Sequence, residues 1–147
     1  MKQNTDNGLQ LMDCACRNLR MTTRVVTQYY DKALYASGLK ATQFSLLNSI
    51  SSKVGGLSVS ELADLSMMDQ TTVTRNIEIL RKKGYVNVRA EDADLRRKSI
   101  TVSDAGESKL IAAVPLWEAA QLKIEQGIGL ESYKEFLKIL SVLKGIK

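Results

Sequence analysis

Residues 57–86 read LSVSELADLSMMDQTTVTRNIEILRKKGYV, and the order of signals within them decides the fold. Ser58-Val59-Ser60-Glu61 has the spacing of a capping box, in which a serine satisfies an early backbone N–H and a glutamate three residues on reaches back to the cap. A short helix over roughly 59–65 starts there. Asp69 caps the next helix, whose apolar positions Val73, Ile77 and Leu80 fall on one stripe. Its Arg81-Lys82-Lys83 end suits the negative pole of the helix dipole, and Gly84 closes it. Only Ser66-Met67-Met68 lies between the two, the kind of connection that joins the helices of a helix-turn-helix.

Downstream the period changes. Val86 and Val88, then Ile100 and Val102, alternate with polar neighbours, the two-residue repeat of a half-buried hairpin. The connecting segment AEDADLRRK (residues 90–98) is longer than ordinary hairpin loops and carries Arg96, Arg97 and Lys98, so a projecting basic wing is expected. Ser103 caps a long helical stretch through Leu110, Ile111, Val114, Trp117, Ala120 and Ile124, which Pro115 should kink or break and which Gly127 and Gly129 should end. A last helix, about 130–144, places Tyr133, Phe136, Leu137, Leu140 and Leu143 on one face.

Upstream, Met12, Cys16, Leu19, Thr23, Val26, Tyr30 and Ala33 step by alternating fours and threes, predicting one long helix from Leu9 to Ala36 that ends at Ser37-Gly38. A shorter helix follows through Phe44, Leu46, Leu47 and Ile50, and Gly55-Gly56 breaks the chain. The fold class is therefore mainly α with a small β hairpin, a winged helix-turn-helix with long flanking helices. Residues 1–8 read as a flexible tail, 39–103 as the winged lobe, and 9–36 with 104–147 as a helical dimerisation region, because a monomer would leave those apolar stripes in water.

Composition narrows the chemistry. No run approaches the ~20 apolar residues that span a bilayer, and no secretion signal is visible, so no membrane partner and a cytoplasmic location are expected. With two cysteines and no histidine, a structural zinc site and histidine-based catalysis are excluded. No nucleophile–base pairing or phosphate loop is apparent, so the chain does not read as an enzyme, and no cofactor is expected. Of the net charge of +5, four units fall within residues 75–98, on the second helix and the wing. A solvated face is the ordinary explanation of such a cluster; its coincidence with the helix-turn-helix favours a polyanion.

Gln70, Thr71, Thr74, Arg75 and Glu78 lie off the apolar stripe of the second helix, with Asn76 at its margin. Gln and Asn pair with adenine, Arg with guanine, and a threonine methyl meets thymine, which suits the edges of double-stranded DNA in the major groove. Thr72 caps the helix start or touches phosphate. In the wing, an arginine reads the narrow minor groove, and Asp94, two residues before Arg96, is placed to brace its guanidinium; the alternative is a local pair with the arginines in solvent. Arg97 and Lys98 complete the wing set.

Three stretches, GLKATQFSLL (38–47), residues 57–86 and EDADLRRKSITVSDAG (91–106), together resemble the MarR family of bacterial transcription regulators over nearly the whole chain. The resemblance implies a homodimer joined by its first and last two helices and bound to a pseudo-palindromic operator, with a sequence-specific repressor as the expected function. The family's wing signature, aspartate-any-arginine, maps onto Asp94 and Arg96, and Lys40 stands where many members carry threonine. A different class of function is a winged-helix protein-interaction module whose basic loop binds an acidic partner.

Two sensing modes are open. Two residues apart on one helix, Cys14 and Cys16 would point about 200° apart and could not readily form a disulfide. Cys16 lies on the seam, with Arg20 one turn later to favour its thiolate. The region is similar to the organic-hydroperoxide-sensing branch of the family, whose reactive cysteine occupies this part of the first helix with a tyrosine about four turns on, here Tyr30; Arg20 stands where that branch has a second tyrosine. A small buried hydrophobe is the ordinary role of such a cysteine. The other mode implied by the family is a small aromatic or phenolic effector between the dimer helices and the lobe, with Arg24, Tyr29 and Trp117 as conceivable linings.

Overall fold

The computed structural model describes residues 11–91 and 94–147, without the side chains of residues 94–96. Its elements run α1 (Ala15–Leu34), a 3-10 turn (Tyr35–Ser37), α2 (Ala41–Ser51), α3 (Val59–Ser66), α4 (Gln70–Lys82), β1 (Val86–Glu91), β2 (Asp94–Val102), α5 (Asp104–Ile128) and α6 (Leu130–Lys144). The expected tail, residues 1–8, lies outside the described residues.

The helix starts in the lobe follow from their caps. Ser58 Oγ accepts from Glu61 N at 3.1 Å while the Glu61 carboxylate accepts from Ser58 N at 2.8 Å, so both halves of the capping box are made. Asp69 accepts from Thr72 N at 2.8 Å, and Ser103 Oγ accepts from Gly106 N at 3.1 Å. At α2 the cap residue is Lys40, whose ammonium can only donate. Gln43 reaches back to Lys40 N at 3.2 Å, and Asp31 from α1 accepts the Ala41 N–H at 2.8 Å. A carboxylate from the preceding helix thus supplies what the cap residue lacks.

The stripes meet in one core. Leu34 and Leu39 join Leu46, Leu47 and Ile50 of α2, Leu62 of α3, Val73, Ile77 and Leu80 of α4, Val86 and Ile100 of the hairpin, and Leu110 and Ala113 of α5. In the hairpin Val86 faces Val102 and Val88 faces Ile100. Leu57 adds a short third pairing to Ile100, through N–H···O bonds of 3.0 and 2.8 Å. Gly56 makes that approach possible: it has φ +85°, and a Cβ there would lie 2.4 Å from the Ile100 carbonyl oxygen.

Three sequence expectations are corrected. The long helix does not run unbroken from Leu9: a turn interrupts it at Asp13-Cys14, and Cys14, with φ −65° and ψ 119°, is the extended cap of α1. The wing is not a long loop. Residues 94–98 belong to β2, with Ala90 opposite Lys98 and Glu91 opposite Asp94 across an irregularity in register. Pro115 does not divide α5, which continues as one helix through Gly127 to Ile128. Both Pro115 and Ile111, the residue one turn earlier whose carbonyl loses its intrahelical donor, are exposed, so water can take that carbonyl.

Candidate nucleic-acid interface

The Val73/Ile77/Leu80 stripe fixes the rotation of α4, because all three side chains are buried in the core. Gln70, Thr71, Thr74 and Arg75 are consequently exposed along its outer face. Thr72 is half-buried and committed to the helix start: its hydroxyl donates to Asp69 Oδ2 at 2.6 Å, while its N–H is held by Oδ1. That geometry holds the Asp69 carboxyl below its usual range, with the Thr72 hydroxyl the leading cause. Asn76 donates one amide N–H to the Thr72 carbonyl at 2.9 Å, so it is tied to its own helix.

The C-terminal half of α4 has a different character. Arg81 donates to both carboxylate oxygens of Glu78, at 2.8 and 2.7 Å, and Lys82 approaches the same carboxylate at 4.0 Å. The bonds from Arg81 hold the Glu78 carboxyl below its usual range and raise the guanidinium in turn. A two-bond fork fixes the guanidinium direction more firmly than a single contact. One carboxylate offsets only part of the charge of Arg81, Lys82 and Lys83, and Lys83 donates to the Gly38 carbonyl at 2.9 Å, so this end of α4 stays positive.

The hairpin brings further cations to the start of α4. Arg97 and Lys98 are exposed and share with Gln70, Ser60 and Glu61 a cleft of about 410 Å³ between the starts of α3 and α4 and strand β2. Arg97 lies 3.9 Å from Glu91, a loose pair between half-exposed groups. Lys98 also borders the groove between α4 and the hairpin, opposite Thr74, Glu78 and Arg81. Sequence reasoning placed Gln70, Arg97 and Lys98 separately but missed Ser60 and Glu61 beside them. The capping box was visible, yet its nearness to the wing depends on the register of β2. The side chains of Asp94 and Arg96 lie outside the described residues.

A second cleft, about 250 Å³, opens where α1, α2 and α5 meet. Tyr30, Leu34, Phe44, Ser45, Asn48 and Trp117 line it, and the Phe44 and Trp117 rings stack at 6.1 Å with 24° between their planes. Of the expected linings only Trp117 is present. Arg24 and Tyr29 are not among the lining residues, and the Tyr29 hydroxyl donates to the Ala120 carbonyl at 3.3 Å. Tyr30 lies fourteen residues beyond Cys16, about 21 Å at the helical rise, the four turns expected. Within one protomer it does not meet Cys16 or Arg20, both of which are exposed. Cys14 stands outside the helix, so the expected 200° separation from Cys16 does not apply; both thiols are free.

Among the described residues no helix is long and apolar enough to cross a membrane. Residues 37–97 match a family model described as MarR family. The chain is similar to the Mycobacterium tuberculosis transcriptional regulator MosR, solved in complex with DNA: 36% identity, TM-score 0.78, covering 90% of this chain and 97% of that one. The fold also matches Bordetella bronchiseptica BpsR, whose DNA binding is regulated by 6-hydroxynicotinic acid, at 21% identity and TM-score 0.82, covering 92% and 96%. CouR from Rhodococcus jostii RHA1, bound to p-coumaroyl-CoA, matches at 20% identity and TM-score 0.77, covering 93% and 96%. No curated protein matches the chain.

Proposed function

The chain belongs to the MarR family of transcriptional regulators, and on that premise we propose that it is a homodimeric repressor binding a pseudo-palindromic site in double-stranded DNA. The observation that carries this reading is the convergence of Gln70 at the start of α4 with Arg97 and Lys98 of β2 in one exposed cleft. A helix start that presents Gln, Thr and Arg beside a cationic strand suits a major-groove edge flanked by phosphates. In this reading Gln70, Thr71, Thr74 and Arg75 face bases, Asn76 is held at the margin by its bond to the Thr72 carbonyl, Thr72 secures the cap, and Arg97 and Lys98 meet phosphate. Arg96, braced by Asp94, enters the minor groove.

The dimer rests on the apolar surface that one chain leaves uncovered. None of the α6 side chains is buried, and Phe136, Leu137, Ile139 and Val142 are exposed. Leu19 and Val26 of α1 and Leu122 and Ile128 of α5 add to this surface. Monomers rarely leave so much contiguous apolar area in water. Residues 9–36 and 104–147 accordingly form the dimerisation region, and 39–103 the DNA-binding lobe.

Release follows from a population shift in the spacing of the two lobes, which must match successive major grooves about 10 base pairs apart. The signal is a small aromatic molecule in the Tyr30/Trp117 cleft. Oxidation of Cys16 is the second reading, favoured by the exposure of its thiol, and Cys16→Ser should then abolish release by hydroperoxide. Selecting bound fragments from random duplex DNA, alongside sedimentation at micromolar concentration, tests the main reading. An inverted repeat bound by a dimer is expected. A monomer, or salt-sensitive binding indifferent to sequence, would reject it and favour an acidic protein partner.

A further inference from the structure

One polar cluster lies in the helical region, away from the DNA-facing surface. Tyr30, which lines the α1/α2/α5 cleft, donates its hydroxyl proton to Gln121 Oε1 of α5 at 2.5 Å. The same carboxamide donates from Nε2 to the Tyr133 hydroxyl of α6 at 2.6 Å and to Glu125 Oε1 at 2.9 Å. Gln121 therefore uses its oxygen toward Tyr30 and its two N–H groups toward α5 and α6. All four side chains are half-buried. Tyr30 stays a protonated donor, since burial and then the nearby Tyr133 raise its ionisation further above the ordinary phenol value.

The lining of the cleft constrains what can enter. Its volume, about 250 Å³, lies below the roughly 300–1,000 Å³ of pockets for drug-sized molecules and suits a single ring. The stacked Phe44 and Trp117 offer an aromatic wall, and no lysine or arginine is among the lining residues to meet a carboxylate. Among the described residues, the Ser45 hydroxyl and the Asn48 amide, both exposed on the cleft, make no side-chain hydrogen bond to protein.

We propose that Gln121 couples this cleft to α6: an uncharged single-ring aromatic ligand takes the Tyr30 hydroxyl, breaks the Tyr30–Gln121 bond and loosens the hold on Tyr133. The inference rests on the cleft being the effector site proposed above and adds the ligand's charge class and the residue that carries the signal. A carboxamide that loses its acceptor contact in a half-buried site must rotate to find another, and the bond to Tyr133 then goes too. That bond matters because α6 buries no side chain of its own within the chain. Gln121 is a positioning residue, not a ligand contact.

The test uses the full-length protein, the selected duplex, and two probes that differ in charge, 4-methylphenol and benzoate. Trp117 is the sole tryptophan and reports occupancy directly. In the wild type, 4-methylphenol should quench Trp117 fluorescence and weaken duplex binding about 5-fold or more, the lower end of ordinary allosteric coupling, while benzoate should do neither at equal concentration. Gln121→Met should bind the duplex as weakly as Tyr30→Phe without any probe, and 4-methylphenol should quench as before without weakening it further. Tyr30→Phe, without any probe, should already bind the duplex more weakly while remaining dimeric. Quenching by benzoate but not 4-methylphenol overturns the ligand class. A Gln121→Met protein that still releases DNA on 4-methylphenol, or a Tyr30→Phe protein that binds normally, overturns the coupling. Failure of the unliganded wild type to bind any duplex would instead reject the regulator reading itself.

Discussion

Removing Arg97 and Lys98 together should change the salt dependence of DNA binding more than any other property. Both side chains are exposed in the cleft beside Gln70, and neither contributes to the core, so the Arg97→Ala/Lys98→Ala protein should fold normally. Each phosphate contact contributes about 0.9 to the slope of log affinity against log salt through counterion release. In the proposed dimer, two residues in each protomer then account for ~3.6 of that slope. Between 50 and 200 mM salt the affinity ratio of wild type to variant should shrink by ~150-fold, with the two proteins converging as salt rises. The assay is a fluorescence-anisotropy titration of the selected duplex at four or more salt concentrations. A slope reduced by only ~1.8 would mean that one protomer, or one of the two residues, makes the contact. An unchanged slope would remove the hairpin from the interface and refute the reasoning from the shared cleft.

Other outcomes follow from single sites. Arg75→Ala should relax base preference by about 1–3 kcal/mol at one base pair of each half-site, measured against a panel of single-substituted duplexes; a uniform loss across the panel would make Arg75 a phosphate contact. Gly106→Ala places a Cβ 2.0 Å from the Tyr85 carbonyl oxygen and 2.9 Å from Val102 Cγ1. It should destabilise by about 2–3 kcal/mol, the usual cost of overpacking against backbone, as read by urea denaturation at fixed protein concentration, whereas Gly127→Ala, with nothing within 4 Å, should not. Glu61 is held at a pKa of about 2, first by the Ser58 N–H and then by Lys53, against an ordinary 4.5. Because the folded value is depressed, its contribution is complete above pH 4.5 and disappears as pH falls toward 2. Glu61→Gln should flatten that part of the stability profile in acid titrations followed by circular dichroism.

Features with local causes were legible in the sequence. Ser58 with Glu61, Asp69 and Ser103 announce helix starts because a cap acts over three residues, and each is made as read. The alternation of Val86, Val88, Ile100 and Val102 gives the strand pairs because one face of the hairpin is buried. The same alternation fades after Val88, where Ala90–Lys98 offers only Leu95 as a large apolar side chain. Backbone pairing nonetheless continues to Lys98, since a ladder needs N–H and C=O groups rather than apolar side chains. The seam of α1 hid its interruption for a related reason: apolar spacing runs through Met12 and Cys16 regardless of the turn at Asp13-Cys14.

Contacts between distant segments left no such trace. Tyr30 and Gln121 are 91 residues apart, and nothing in the period of either helix pairs them, because periodicity reports which face is apolar and not what that face meets. The cap of α2 illustrates the same limit in reverse. Read locally, Lys40 is a poor helix start; in the fold, Asp31 arrives from the end of α1 and accepts the Ala41 N–H. Asp31 therefore ties the end of α1 to the start of α2 as well as closing a helix end. That junction also forms one wall of the cleft, where Ala41 sits beside Tyr30 and Leu34. In the proposed dimer, a ligand that displaces Tyr30 would act within a few residues of the joint between the helical region and the winged lobe. Under the proposed mechanism, this is where a small local change would become a change in lobe spacing, because packed helices shift as rigid bodies rather than deform.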